Sequence, residues 1–396
     1  MKNSSGLGHL KQSSSSFLQR VVPRRRFLQV MGAIVAGLLS GSCRPKWLTE
    51  TSEPTFAIPP TNVPGAASAI TPASRSPSQV AIARAASYDR NLVRQRVRML
   101  IDGIGGLEDV IRSGDRVAIK VNLTGGTKWE PPAGVSATES YITHPEVVRA
   151  LGELLRDAGA SQLFIVEAVY DNKSYQLWGY EEVAKAIDAT LLDLNNTGPY
   201  ESFALTPVGA GWFIYENFVS NHILKEVDAF ISVAKMKCHW SCGVTLSMKN
   251  LVGLVPARYY RLKREHYRRS ALHGRDDEFK TRLPRVIIDL NRARPIHLAL
   301  IDGIKTAEGG EGPWHETFNP VEPGVLIAGK DPVATDAVAT AAMGFDPVVG
   351  PPFAPFLRGD NHLNLAYSMG LGTNRLEEIQ VVGAAIDEVR YTFSPC

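Results

Sequence analysis

Cysteine is scarce in this chain, with four in 396 residues, and what is missing around those four excludes several chemistries. There is no C-x-x-C-x-x-C run of the ferredoxin kind. Beyond Cys43 only Cys238, Cys242 and Cys396 remain, so a cluster with four cysteine ligands is not expected. The Cys238-His239-x-x-Cys242 core has no second Cys/His pair at zinc-site spacing. Its thiols read as buried and free, the alternatives being metal ligation or a disulfide to Cys396. The glycines around Glu311 are not followed by Gly-Lys-Ser/Thr, which excludes a Walker loop. Gly103–Gly106 follows a helical pattern rather than a strand, which leaves a dinucleotide fingerprint unsupported, and there is no Gly-x-Ser-x-Gly elbow. Net charge is only +3 and basic residues are scattered, without an arginine-rich aromatic platform, so nucleic acid is set aside as a partner.

What is present begins with an export pattern. Pro23-Arg24-Arg25-Arg26-Phe27-Leu28 is a twin-arginine sequence, followed by the apolar run Val30–Leu39 and by Ser40-Gly41-Ser42-Cys43. That apolar run is shorter than the roughly 20 residues a membrane span needs. Residues 1–43 are therefore expected to be a Tat signal handled by the Tat export machinery, delivering the chain to the periplasm or cell surface. Cys43 is a candidate lipidation site that would give a membrane-anchored lipoprotein. Ser40 stands where a lipobox usually has Leu, and ordinary cleavage nearby would give a soluble exported protein instead. Residues 44–80, rich in Pro, Ser, Thr and Ala, read as a disordered tether. Because the Tat route carries folded proteins, it raises the expectation of a cofactor without naming one.

Residues 81–396 alternate short apolar runs with helical periodicity. With 44% hydrophobic residues the chain can bury one or two sizeable cores. Strands are expected at Arg116–Val121, Leu163–Ala168, Leu191–Leu194, Ala229–Ala234, His297–Ile301, Gly324–Ala328 and Ile379–Val382. Helices are expected at Pro145–Ala158, Glu181–Ala189, Phe218–Glu226, Leu283–Ala293 and Pro332–Met343. The fold class that follows is α/β: a mainly parallel sheet with helices on both faces and a ligand site at the carboxyl ends of the strands. Tyr170–Trp212 and Arg258–Arg282 are irregular and read as lid-like insertions or a small subdomain.

Reading the strand ends in order gives Lys120 and Asn122, then Glu167, then Lys235, Lys237 and His239, then Asp302 and Glu308, and finally Lys330 and Asp331. Lysines mixed with carboxylates at five strand ends favour a site over a set of merely polar loops. Lys120, Asn122, Lys235, Lys249, Asn250 and His273 are the expected binding residues for a small anionic molecule, a carboxylate or a phosphate. His239, Lys237 and His144 are the candidates for moving protons, with a helix-cap role as the alternative for His144. Asp302, Glu308, Asp331 and Asp336 either hold a divalent metal such as Mg²⁺ or neutralise the lysines, and Asp331 is also an expected helix cap.

A series of motifs carries a resemblance. Lys120-Val-Asn122, His144-Pro145-Glu146, Lys235-x-Lys237-x-His239, Thr245-x-x-x-Lys249-Asn250-x-x-Gly253, His273-Gly274, Asp302-Gly303, Glu311-Gly312-Pro313 and Asp331-Pro332-Val-Ala-x-Asp336 stand in this order. In this the chain resembles the family of domain of unknown function 362, over roughly Val117–Gly344. The resemblance implies Tat export for many members. It implies an iron–sulfur label only for relatives with an added ferredoxin module, which this chain lacks. Cys238 and Cys242 are not family positions. A fainter likeness, in fold class and residue types alone, is to the lactate racemase family with its nickel-containing cofactor; it is an analogy. The leading expectation is a metal- or cofactor-assisted enzyme acting on a small anion. The alternatives are a non-catalytic ligand-binding lipoprotein and a redox protein using its cysteines.

Overall fold

A computed structural model describes residues 77–263 and 269–396; the export motif, Cys43 and most of the tether lie outside them. The Val-, Ile- and Ala-rich runs become strands of one large sheet. They are β1 (Ser78–Arg84), β2 (Arg116–Lys120), β3 (Gln162–Glu167), β4 (Ala189–Asp193), β7 (Ala229–His239), β9 (Leu298–Glu308), β11 (Val325–Gly329) and β12 (Ile379–Gly383), in the order β12-β1-β11-β9-β7-β2-β3-β4. Two short strands, β8 (Gly243–Thr245) and β10 (Asn319–Val321), extend β7 and β9 antiparallel. A separate antiparallel hairpin joins β5 (Phe203–Pro207) to β6 (Asn217–Asn221).

The five adjacent strands β9-β7-β2-β3-β4 are parallel, as their nearly continuous apolar sequences require of strands buried on both faces. The main helices are α1 (Arg90–Gly103), α2 (Pro145–Asp157), α3 (Tyr180–Ala186), α4 (Phe279–Ala293), α5 (Pro332–Ala342) and α6 (His362–Ser368). Strand periodicity assigns them to the two faces. Ala229, Ile231 and Val233 of β7 pack with Val97, Leu151 and Val183 of α1–α3. Phe230, Ala234, Met236 and Cys238 pack with Leu283, Val338 and Leu363 of α4–α6. The α/β class with helices on both faces is thus the observed architecture. No helix among the described residues is long and apolar enough to cross a membrane.

Several expectations are corrected. Strand β1 begins at Ser78, inside the stretch read as a tether, and lies between β11 and β12. Phe218–Asn221 is strand, not helix, because its alternating buried positions pair with β5; helix is confined to Ile223–Glu226. Strands β7 and β9 run past their expected ends, since buried polar side chains continue the pleat after the apolar residues stop. Most consequential, β11 runs antiparallel to β9. Its carboxyl end therefore lies at the opposite edge of the sheet from those of β2, β3, β7 and β9. Lys330 accordingly pairs with Asp109, in the segment that precedes β2.

On the α4–α6 side His362 is fully buried, and neither ring nitrogen has a hydrogen-bond partner among the described residues. Burial, aided by Lys249, lowers its pKa to about 3. A histidine depressed in the folded state stabilises the fold above its unfolded pKa and loses that contribution as pH falls toward the folded value. Stability should therefore drop between about pH 6.5 and pH 3, by up to a few kcal/mol at roughly 1.4 kcal/mol per pKa unit. In urea titrations across that range, His362→Phe should show a flatter acid limb than the unmodified protein; an unchanged limb would assign the acid sensitivity elsewhere.

Candidate functional site

The β7 strand builds the centre of the site by continuing one face of the pleat with polar side chains. After Ile231 and Val233 that face carries Lys235, Lys237 and His239, all buried, while Cys238 turns to the opposite face and enters the core. A register irregularity in the pairing with β9 falls between Lys235 and Lys237, and it separates their environments.

Lys235 is closed off. Its ammonium lies 2.7 Å from Asp302 Oδ2 and donates to Tyr88 Oη at 3.0 Å and to the carbonyls of Thr138 and Lys305 at 3.0 and 2.9 Å. Asp302 also accepts the Tyr88 hydroxyl at 2.7 Å and the His144 backbone N–H at 2.9 Å. His144 stacks on Tyr88 at 3.6 Å between ring centroids, and its Nδ1 accepts from Glu146 N to cap α2. Burial lowers the His144 pKa to about 4, against Asp302, so the ring is neutral. Lys235, His144 and Asp302 therefore form a packed cluster that does not line the cleft described next.

That cleft, about 750 Å³, opens at the carboxyl ends of β2, β3 and β7. Among the residues lining it are Asn122, Lys237, His239, Lys249, Asn250 and His273. Lys120 lies just behind it, fully buried, with its ammonium 3.0 Å from Glu167 Oε2, 2.6 Å from Val121 O and 3.1 Å from Asn250 Oδ1. Burial lowers Lys120 to about 8, with Glu167 pulling it back up. Glu167 Oε2 also accepts the Leu123 N–H at 3.0 Å.

Two amides carry this pair across to Lys237. Asn250 Oδ1 accepts from Lys120 and from Asn122 Nδ2, each at 3.1 Å, and Asn122 Oδ1 accepts from Lys237 Nζ at 3.1 Å. Lys237 donates further to the carbonyls of Tyr141 at 2.7 Å and Glu311 at 3.1 Å. All three acceptors are oxygens of neutral groups. Three acceptors suit an ammonium, which has three donors, better than an amine, which has two. Burial nevertheless pushes Lys237 well below the ordinary lysine range, and Lys249 adds to this. Lys237 is thus a buried amino group without a carboxylate partner among the described residues.

His239 Nδ1 accepts the Ser241 N–H at 3.1 Å, which puts the ring proton on Nε2, 4.0 Å from Glu311 Oε1. Burial and Lys249 hold its pKa well below the ordinary value, so the ring is neutral and offers an N–H donor. Glu311 accepts the Trp240 N–H at 3.2 Å and lies 2.9 Å from His315 Nε2. Burial raises its pKa, but His239, then His315 and the Trp240 N–H, outweigh it and keep the carboxyl well below the usual range. His273 stacks on His239 at 6.5 Å between centroids.

The four carboxylates read as a cation site do not meet. Asp302 belongs to Lys235. Glu308 accepts from Asn319 Nδ2 at 2.9 Å and from Ser394 N at 2.7 Å. Asp331 caps α5 through Val333 and Ala334, at the far edge of the sheet. Asp336 accepts from Ser247 N at 2.8 Å and Met248 N at 2.9 Å, and so fixes the chain immediately before Lys249. No group of three His, Cys, Asp or Glu side chains suited to a metal ion occurs among the described residues. The three thiols are free. Cys238 and Cys242 are buried, and Cys396 contacts Cys238.

The geometry adds residues that sequence reasoning did not place in the site. Thr245 is buried at the cleft with no partner for its hydroxyl among the described residues. Its spacing from Lys249, within one motif, was the available signal. Lys249, an expected binding residue, lines the same cleft with no hydrogen-bond or ion-pair partner among the described residues. Arg269 lines the same cleft while donating to Val255 O at 2.7 Å and to Ala168 O. Trp129, Trp314 and Glu311 came from segments that carry no strand or helix pattern.

Fold and cleft together define an α/β protein with a lysine-rich polar site beyond the ends of its parallel strands. The chain belongs to the DUF362 family, described as a domain of unknown function, whose profile matches residues 117–341. It is similar to the thylakoid-associated protein sll1697 of Synechocystis sp., with 25% identity over 287 residues, 69% of this chain and 77% of that protein. A crystal structure of a protein from Thermotoga maritima matches with a TM-score of 0.36 and 11% identity, covering 65% of this chain and 59% of that one.

The Lys120–Glu167 pair gives a direct test of how the cleft is held. Removing one member of a buried pair leaves a charge uncompensated, at a cost of about 3–5 kcal/mol. Glu167→Gln should lose stability on that scale in urea unfolding, and Glu167→Gln with Lys120→Met should recover part of it. A loss under about 1 kcal/mol would show that Lys120 either gives up its proton or is reached by water.

Proposed function

We propose that the cleft binds a small oxyanionic substrate, a carboxylate or a phosphate, and that Lys237 exchanges a proton with the bound molecule. The observation that carries this reading is an excess of positive charge left without carboxylate partners. Three cationic side chains, Lys128, Lys249 and Arg269, and the buried amino group of Lys237 line the cleft against two carboxylates, Glu167 and Glu311. Glu167 is already paired with Lys120, and Glu311 accepts the Trp240 N–H and lies 2.9 Å from His315. Lys249 and the Thr245 hydroxyl are uncommitted among the described residues, and Nε2–H of His239 is a further donor. An anion would satisfy these groups at once.

An anion beside Lys237 opposes the burial that depresses it and raises its pKa. Binding should then be accompanied by proton uptake wherever the free protein holds the amine partly neutral, and affinity should weaken as pH rises. Lys237 is thereby suited to deliver or remove a proton at the substrate, while His239 serves as a neutral hydrogen-bond donor rather than a base. The export reading belongs to the same proposal: a twin-arginine signal and tether would place this domain outside the cytoplasm, with Cys43 as a lipid anchor. A divalent metal, if the reaction uses one, needs a donor set other than the four dispersed carboxylates.

A non-catalytic binding protein is the second reading, favoured by the same uncommitted cations. Calorimetric titration with inorganic phosphate and with acetate, in buffers of different ionisation enthalpy, tests both. Saturable binding with net proton uptake, weakening toward high pH and falling at least about tenfold in Lys249→Met, is the expected result. Binding without proton exchange would leave the binding reading and remove the role given to Lys237. Absence of any anion binding would overturn the proposal.

A further inference from the structure

The cleft has a second kind of wall that charge does not explain. Trp129 and Trp314 both line it, with ring centroids 5.6 Å apart and planes at 57°. Tyr141 braces Trp314 edge-on at 5.9 Å and 82°. The place of Trp314 is built by two glycines. A Cβ on Gly125 would lie 2.3 Å from Cζ3 of Trp314, and a Cβ on Gly312 would lie 2.3 Å from its Cη2. The six-membered ring of Trp314 thus fits against backbone at two positions where any side chain would displace it. Tyr170 adds a third ring to the lining.

An aromatic lining suits either a cation or a planar apolar group. Here the cation is excluded by what already stands there. Lys128 lies 5.2 Å from the Trp129 ring centroid and Arg269 lies 5.6 Å from that of Tyr170. A further positive charge would meet these two as well as Lys237 and Lys249. Size points the same way. About 750 Å³ is the volume of a cleft that encloses a ligand of drug dimensions, far more than a bare carboxylate or phosphate fills.

We infer that the occupant is an amphiphilic oxyanion: a carboxylate or phosphate head held by Thr245, Lys249 and Lys237, carried on a planar aromatic ring system that packs against Trp129 and Trp314. This inference rests on the anion reading and narrows it. The ring stacks on indole, and the head completes the donors that lack partners.

The test compares matched probes by isothermal titration of the intact folded protein: inorganic phosphate against 1-naphthyl phosphate, acetate against 1-naphthoate, and uncharged 1-naphthol. The naphthyl anions should bind at least about tenfold more tightly than their bare counterparts, as expected for ring stacking plus apolar burial, and 1-naphthol should bind weakly or not at all. Trp314→Leu should bring the ratio of naphthyl to bare-anion affinity toward one; Lys249→Met should weaken both. Equal affinity of naphthyl and bare anions would overturn this inference and leave the anion reading standing. Naphthol binding as tightly as naphthoate would overturn the anionic head and the anion reading with it. The probe comparison uses unmodified protein, so the outcome does not depend on whether Trp314→Leu folds. Phosphate and carboxylate arms together identify which head the cleft prefers.

Discussion

Keeping lysine ammoniums out of water is the constraint on which the rest of the site depends. Lys120, Lys235 and Lys237 are each fully buried, and an ammonium taken from water costs several kcal/mol unless its surroundings replace the lost hydration. The protein does this in three ways. Lys235 receives Asp302 at 2.7 Å together with a hydroxyl and two carbonyls, and so becomes structural. Lys120 receives Glu167 and two further oxygens. Lys237 receives oxygens of neutral groups alone. Only the third arrangement supplies no carboxylate, so the ammonium form is the least supported there, and it is the one that faces the cleft.

These demands explain neighbouring residues that otherwise look arbitrary. Asn122 and Asn250 must each present a carbonyl oxygen to a lysine and an amide elsewhere, which fixes both side chains in one orientation. Gly253 must lack a side chain because a Cβ there would fall 2.1 Å from Glu167 Oε1 and 2.8 Å from Lys120 Nζ. Asp336, on the first half of α5, sets the two residues before Lys249 by accepting their backbone N–H groups. Its own burial pushes its carboxyl up to about 7. The motif order read from the chain is therefore the order of parts in one packed assembly, even where individual motif residues never line the cleft.

What was legible in the sequence was periodic. Apolar runs such as Phe230–Ala234, and the Pro-start, Gly-stop signature of α2, define elements by local chemistry, and the α/β class follows from their alternation. Periodicity carries no strand direction, which is why β11 looked like a fifth wall of the site and lies reversed. It also does not say which of two buried lysines on one face meets a carboxylate. Lys235 and Lys237 are two residues apart, and a register irregularity beside them, invisible in composition, sends one to Asp302 and the other to the cleft. Thr245, Arg269 and the two tryptophans sit in loops or short strands, where side-chain identity has no pattern to stand against.

The cysteines show the same logic from the other side. Cys238 lies between Lys237 and His239 in the chain, and in a helix Cys238 and Cys242 would share one face with His239 beside them. In a strand, period two sends Cys238 through the sheet into the core while its neighbours stay with the cleft. There it is buried beside Cys396, with its thiol near the Ser394 carbonyl at 3.3 Å. The burial of Cys242 pushes its thiol up to about 12, away from the thiolate that metal binding or nucleophilic attack would need. The chemistry of this strand therefore divides by face. One face presents cation and N–H donor to the cleft, and the other fills volume. A ligand that enters at the strand ends meets the first without contact with the second.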